Sequence, residues 1–425
     1  MKRRDALQWI LTLPALASCG GSGGSSGGNS TSAGSSGASS SSSASGGSSS
    51  SVSSSLSSSS GTSSSSTSNS TSSSASSAQL TPAQASYRHG DTLTITQAGG
   101  NPQVIHTFLG GAGGVIESPA LGAKPANGQG WAFDQLGGPT TIANDAVRGK
   151  VLFTPEHDAS YNATRRFDPG APIAEQRYFY KAHWVRNVMT MGGVPYAKSY
   201  QWKHERISWQ DSVVDTDCEI KVHDLFNNSG GQINFVNRSA ASKSTYYTGS
   251  TVADNAGWTL MEIMVFTGTQ GLNDGKVITR AHHGGETRVR LNRQSEMVYA
   301  DPSLRLRYFI EQNYFGNFGQ KEDGVDNKLP KPDVRELYSD DSRVILGQDT
   351  VSGWQRVELR DTPSLQTATV RELQTWTVWN DSITLTLNTG GLSAGSHDLY
   401  LCVIDGVDAN GWDVVRHALP LRVVV

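Results

Sequence analysis

Gly257-Trp-Thr-Leu-Met-Glu-Ile-Met-Val265, followed by Asn273-Asp-Gly-Lys-Val277, decides how the chain folds. The first run is long enough for a strand and apolar almost throughout. The second supplies the Asn, Asp and Gly of a tight reversal into another strand. Working outward, short alternating or β-branched segments recur on both sides. Upstream they fall at residues 92–96, 176–186 and 232–237, and downstream at 304–314. A C-terminal set follows at 342–347, 354–360, 382–388, 397–404 and 418–425. No long helical periodicity separates them. Strands without intervening helices argue for an antiparallel sandwich or jelly roll over an α/β fold.

Composition narrows the functions. The chain has 425 residues, 35 basic and 38 acidic, for a net charge of -3. Lys2, Arg3, Arg4 and Asp5 are followed by no charged residue until Arg88. From there the charged fraction is that of an ordinary globular surface. No strongly basic domain exists, so nucleic acid is not an expected partner. No apolar run reaches the length of a membrane-spanning helix. Three cysteines exclude a disulfide scaffold. Cys218 and Cys402 are far apart in sequence; export would permit them to pair, and burial as free thiols is equally open.

The charge-free stretch divides in two. Residues 1–19, with a basic start and a short apolar core, read as an export signal. Leu16-Ala17-Ser18-Cys19 resembles the lipobox of bacterial lipoproteins. That resemblance implies lipidation at Cys19 and a membrane partner through the lipid anchor. With Gly20 next, it implies an outer-membrane lipoprotein facing the cell surface or the periplasm. Arg3-Arg4 leaves the export route open. Residues 20–78 are almost wholly Ser, Gly, Thr, Ala and Asn, the composition of a disordered linker with an r.m.s. reach of roughly 40 Å. Such tracts resemble the polyserine linkers of polysaccharide-degrading bacteria.

The order of the central strands carries a further resemblance. Gln176-Arg-Tyr-Phe-Tyr-Lys-Ala-His-Trp-Val-Arg186 is followed by Tyr200-Gln-Trp-Lys-His-Glu-Arg-Ile207. After the Trp258…Glu262 strand and its Asp-Gly hairpin come Tyr308-Phe-Ile-Glu-Gln-Asn-Tyr-Phe-Gly316 and Leu337-Tyr-Ser-Asp-Asp341. This order resembles the concanavalin A-like, or laminin-G-like, jelly roll, and polysaccharide lyases that share it. Arg88-His-Gly-Asp-Thr-Leu-Thr-Ile-Thr96 resembles the start of an immunoglobulin-like TIG module. The expected fold is all-β: a concanavalin A-like antiparallel jelly-roll sandwich with a small Ig-like β unit at the C-terminus. The expected segments are the signal (1–19), the linker (20–78), a TIG-like β segment (79–139), the jelly roll (140–341) and a C-terminal β-sandwich unit (342–425). That last unit could pair with the N-terminal strands. A monomer is expected.

The jelly-roll resemblance implies an extracellular polysaccharide as partner. Aromatic side chains would stack on sugar rings, and Trp184, Trp202 and Tyr308 are the selected platforms. β-Elimination on a uronate polymer needs a group to neutralise the carboxylate and a base and acid for the proton transfers. Arg186, Lys203, His204 and Arg206 form one candidate catalytic cluster, with His183 beside Arg186. Gln312 and Tyr314 form the other, loosely resembling a strand of alginate lyases, although Phe309-Ile-Glu-Gln-Asn313 departs from that pattern. Glu262 and Glu311 would be the carboxylate pair of a glycoside hydrolase, which ranks below the lyase because no close acidic spacing supports it. A non-catalytic binding or adhesion lipoprotein is the alternative from another class. Asp340-Asp341 and Asp408-Ala-Asn-Gly-Trp-Asp413 offer hard oxygen ligands suited to Ca²⁺, although an Asp/Asn-rich turn explains the latter as well. His282-His283 reads as a surface hairpin pair.

Overall fold

The structure is a computed structural model. It describes residues 78–96, 98–100, 103–108, 130–135, 141–154, 164–168, 177–195, 200–208, 219–226, 231–236, 243–248, 257–269, 272–296, 308–316, 333–347 and 353–425, all within the compact unit Ser76–Val425. These residues form 25 strands in four sheets. The protein is all-β, a jelly-roll sandwich joined to a small Ig-like sandwich. Among the described residues no helix is long and apolar enough to cross a membrane.

The small sandwich draws strands from both ends of the unit. Its four-stranded sheet runs β1 (Gln79–Thr81), β3 (Thr92–Thr96), β23 (Ile383–Thr386), β22 (Thr375–Trp379). Its five-stranded sheet runs β2 (Tyr87–Arg88), β25 (Asp413–Val424), β24 (Ser396–Val407), β20 (Arg356–Arg360), β21 (Arg371–Leu373). The alternation Thr-Leu-Thr-Ile-Thr in β3 buries Leu93 and Ile95, whose neighbours in register on β23 are Leu385 and Ile383. These side chains share one core with Val357, Leu359, Leu399, Leu401, Val403 and Val423 of the five-stranded sheet. β1–β3 and the C-terminal strands are therefore one folding unit, whereas residues 103–108 and 130–135, expected within the TIG-like segment 79–139, form strands of the jelly-roll sheets. Residues 342–347, read from sequence as part of the C-terminal set, instead finish β19 (Val334–Gly347), a strand of the jelly roll.

The jelly roll has two sheets. The nine-stranded sheet follows β17 (Glu286–Glu296), β16 (Gly275–His283), β15 (Thr259–Phe266), β9 (Tyr178–Met191), β19, β7 (Gly149–Thr154), β6 (Thr141–Asp145). To this path β10 (Val194–Pro195) adds on β9, and β4 (Gln103–Phe108) adds on β19. The seven-stranded sheet follows β14 (Lys243–Thr248), β13 (Gly231–Val236), β12 (Glu219–Phe226), β11 (Tyr200–Ser208), β18 (Tyr308–Gly316), β8 (Thr164–Asp168), β5 (Gly130–Gln135).

β15 is buried at every position, which explains why it reads as continuous apolar sequence: both of its faces are covered. Leu260, Met264 and Phe266 pack with Trp354 and Leu373 of the small sandwich. Trp354 donates its indole N–H to the Phe179 carbonyl at 3.1 Å and meets the Tyr178 ring edge-on. A Cβ at Gly353 would collide with Tyr178, so glycine there permits the close approach.

A buried ionic network completes this junction. Glu262 accepts hydrogen bonds from Arg280 (2.7 Å), Arg371 (2.8 and 3.0 Å) and the Tyr180 hydroxyl (2.9 Å). Glu358 accepts from Arg356 (2.7 Å), Arg360 (2.9 Å) and Arg371 (2.9 and 3.0 Å), and Asp413 pairs with Arg280, Arg356 and Arg360. Beside it, Arg148 bridges Asp340 of β19 and Glu372 of β21, and Asp341 pairs with Arg343. Burial is the largest single influence and pushes these carboxyls up, but the guanidiniums together outweigh it, holding Glu262 down at about 2 and Glu358 and Asp413 lower than usual.

Two outcomes follow. Ile95→Ala removes a fully buried side chain from the shared core, and chemical denaturation should show a loss of roughly 2–5 kcal/mol. Depressed carboxylate pKa values stabilise the fold above the unfolded value, and that stability is lost as pH falls through the folded one. At Glu262 the window runs from 4.5 down to about 2 and carries on the order of 3 kcal/mol. Asp340, pushed up to about 7 by burial despite the pull of Arg148, acts in the opposite sense and above this window. Tryptophan fluorescence should therefore report an acid transition below pH 4 as Trp354 leaves the junction, and a flat signal down to pH 2 would contradict the network.

Candidate functional site

The seven-stranded sheet carries the candidate site, and its backbone register defines two unlike faces. Residues opposite one another across a ladder share a face, and alternate residues along a strand do too. Lys203 of β11 lies opposite His223 of β12 and Tyr314 of β18. His223 lies opposite Gln232 of β13, and Gln232 opposite Tyr247 of β14. Tyr247, Gln232, His223, Lys203 and Tyr314 thus form one straight cross-strand row. Neighbouring strands are about 4.8 Å apart, so the row spans roughly 19 Å.

A second row on the same face runs beside it. Arg206 lies opposite Lys221 and Ile310, Lys221 opposite Asn234, Asn234 opposite Thr245, and Ile310 opposite Arg166. Gln312, opposite Thr164, and Tyr308, opposite Ser208, also belong to this face. The other face carries Ile207, Phe309, Ile220, Val222, Ile233, Phe235 and Phe167, interrupted by Glu205, Asp224, Glu311 and Arg165, by the same register. By register, most of the apolar residues gather on one face and most of the polar ones on the other. The polar face combines Tyr and His, which can exchange protons near neutrality, with Lys, Arg, Gln and Asn, which can bind a carboxylate; Glu219 and Asp168 belong to the same face at its edge row.

Sequence reasoning selected part of this face. Lys203, Arg206, Gln312, Tyr314 and Tyr308 are brought together on it. His204 falls at the β-bulge between Lys203 and Glu205. Trp202 lies opposite Phe315 and Asp224, one residue out of phase with Lys203, and therefore on the other face of the sheet. Arg186 and His183 do not join Lys203: β9 sits in the nine-stranded sheet between β15 and β19. Arg186 pairs with Asp145 at 2.8 Å and lies over the Tyr338 ring. Trp184, expected as a sugar platform, is buried with the Arg148 guanidinium 4.4 Å from its ring centroid, so its face is already covered. Cys19 lies outside the described residues.

His223, Gln232, Asn234 and Tyr247 were missed. For the first three the signal was present as alternation in Glu219-Ile-Lys-Val-His223 and Gly231-Gln-Ile-Asn-Phe-Val236, where polar residues recur at every second position.

Other candidates are occupied elsewhere. Glu262 and Glu311 lie in different sheets, and Glu262 is fully enclosed by arginines. It stays ionised to about pH 2 and cannot serve as a general acid near neutrality. Asp340, Asp341 and Asp413, offered for Ca²⁺, face guanidiniums, and Asp408 accepts the amides of Asn410 and Trp412 in a turn. Among the described residues no cluster of His, Cys, Asp or Glu is arranged to hold a metal ion. His282 is buried, not on a surface loop: its ring hydrogen-bonds Thr287 at 2.8 Å and burial pushes its pKa down to about 4. Cys402 is a buried free thiol, pushed up to about 12 by burial.

No family model and no curated protein matches the chain. Solved structures with similar folds include the marine PL-14 alginate lyase from Aplysia kurodai, at 12% identity and a TM-score of 0.37, covering 49% of this chain and 87% of that one. The alginate lyase vAL-1 from Chlorella virus is similar at 14% identity and a TM-score of 0.37, over 55% of this chain and 100% of that one. The binding domain of botulinum neurotoxin serotype G is similar at 9% identity and a TM-score of 0.34, over 71% of this chain and 72% of that one.

Proposed function

We propose that the polar face of the seven-stranded sheet engages a uronate polysaccharide and cleaves it by β-elimination. The observation that carries this reading is the row Tyr247, Gln232, His223, Lys203 and Tyr314 beside the basic row of Lys221, Arg206 and Arg166. In β-elimination a base removes the C5 proton, the C4–O bond to the next sugar breaks, and a C4=C5 double bond forms. The departing oxygen takes a proton from an acid. The C5 proton becomes acidic enough once the adjacent carboxylate is neutralised by cationic or amide groups. Tyr314 and His223, the proton-exchanging groups flanking Lys203 in the central row, take the roles of base and acid. Lys203, Arg206, Gln232 and Asn234 suit the carboxylate. A row of several strands matches an extended chain of sugar units lying across the sheet.

The test is incubation of the folded protein with alginate, pectin, heparin and glucuronan while following the ultraviolet absorbance of the new double bond. At least one polymer should yield product. Tyr314→Phe and His223→Ala should each lower the rate by roughly 10²–10⁴-fold with unchanged thermal unfolding. Binding without product on every polymer would overturn cleavage and leave the non-catalytic adhesion reading in its place.

We also infer from Leu16-Ala17-Ser18-Cys19 that the chain is exported and anchored to a membrane by acylation, with residues 20–78 as a tether. Two acyl signals are needed for stable anchoring, and a single one gives marginal binding. Cys19→Ala should move the protein from the membrane fraction to the soluble one, and unchanged fractionation would refute lipidation.

A further inference from the structure

The small sandwich carries an open cleft of about 620 Å³ that the sheet-face site does not use. This volume lies within the range of small-molecule sites, roughly 300–1,000 Å³. One wall is β1 and the segment joining it to β2, with Leu80 on the strand and Gln84 on the segment. Tyr87 fixes that wall. It is buried, its hydroxyl donates to the Pro82 carbonyl at 2.8 Å, and it accepts the Gln84 amide N–H at 3.4 Å.

The facing wall is the β24–β25 ladder. Register places Asp398 opposite Arg422 and Tyr400 opposite Pro420, two pairs on one face. Half-buried Tyr400 and exposed Pro420 set two apolar rings side by side. The next pair is a fork, with Arg422 donating to both carboxylate oxygens of Asp398 at 2.8 and 3.1 Å. Both members are exposed, at 56% and 76% of their side-chain surfaces. Asp361 stands at the rim, held by the Thr369 and Val370 amides at 3.0 and 3.1 Å.

Flat apolar rings next to a carboxylate–guanidinium fork complement a sugar ring. The C–H face of the sugar covers Tyr400 and Pro420. Vicinal hydroxyls donate to Asp398 and accept from Arg422, each already oriented by its partner, so little side-chain entropy is lost on binding. Two aspartates against one arginine give these walls a net charge of about -1 near neutral pH, which disfavours a uronate. We propose that this cleft is a second saccharide site, selective for a neutral glycan. It stands apart from the sheet-face site and does not depend on whether that face cleaves a polymer.

Affinity electrophoresis of the full chain tests it, with gels containing mixed-linkage β-glucan, xyloglucan, galactomannan or arabinogalactan, and a separate gel containing alginate. Retardation by at least one neutral polymer is expected. Tyr400→Ala and Arg422→Ala should each weaken it about tenfold or more, while Tyr314→Phe leaves it unchanged. Arg422 is exposed, so its variant keeps the fold and carries the test if Tyr400→Ala unfolds. No retardation in any neutral gel overturns the proposal. So does retardation that survives Arg422→Ala together with any folded Tyr400→Ala variant, or that is lost in Tyr314→Phe, which would assign it to the sheet face.

Discussion

The buried arginine–carboxylate network between the small sandwich and the nine-stranded sheet is the constraint on which the rest of the molecule depends. Six guanidiniums (Arg148, Arg280, Arg343, Arg356, Arg360, Arg371) meet six carboxylates (Glu262, Asp340, Asp341, Glu358, Glu372, Asp413). The cluster around Glu262 has an excess of arginine and the one around Asp340 an excess of carboxyl groups, so the numbers of the two match when both are taken together. Buried ion pairs seldom add much net stability over apolar packing. Their effect is conditional: separating the two bodies would leave charges unpaired in a region sealed from water, which costs several kcal/mol per ion. The network therefore fixes one docking geometry. The apolar contacts of Trp354, Tyr178 and Phe266 around it supply the area.

That docking has a consequence for function. In the jelly roll, the nine-stranded sheet is covered by the small sandwich, and β15 is buried along its whole length. Side chains that would be prominent on an open sheet, such as Trp184 and Glu262, are consumed by the junction. The polar face of the seven-stranded sheet is thus the sheet surface whose residue pattern suits a long ligand.

How much of this was legible in the sequence differs between fold and site. The all-β architecture was readable because alternation and Gly/Asn/Asp turns are local signals, as in Thr92–Thr96 and the Asp274-Gly275 reversal. The network was not. Arg356-Val-Glu-Leu-Arg360 reads as a strand with one solvated charged face, yet all five residues are buried. Its partners Glu262 and Asp413 come from distant strands, and no local pattern announces them. At the site, residue chemistry pointed to Lys203, Arg206, Gln312 and Tyr314, but the choice of Trp202 failed by one residue of register. A one-residue change of phase moves a side chain to the opposite face. Arg186 failed differently: adjacency in sequence suggested a pair with Lys203, whereas consecutive strands of a jelly roll can pass to different sheets.

The two proposed saccharide surfaces differ in charge in a way that composition alone would hide. The chain as a whole carries -3. On the polar sheet face, Lys203, Arg206, Lys221 and Arg166 share two adjacent rows, and Glu219 and Asp168 lie one row further along, so cations outnumber acids there by four to two. In the terminal cleft, Asp361 and Asp398 outnumber Arg422. Under the two proposals a polyanion would be drawn to the first and repelled by the second, with screening confining both effects to about 8–10 Å at ordinary ionic strength. Because the buried network holds the two sandwiches in one orientation, the surfaces cannot drift to share a single chain of sugars at will. On this reading the small sandwich engages a neutral matrix while the sheet face works on an acidic polymer. The division rests on the same junction that hides Trp184 and Glu262.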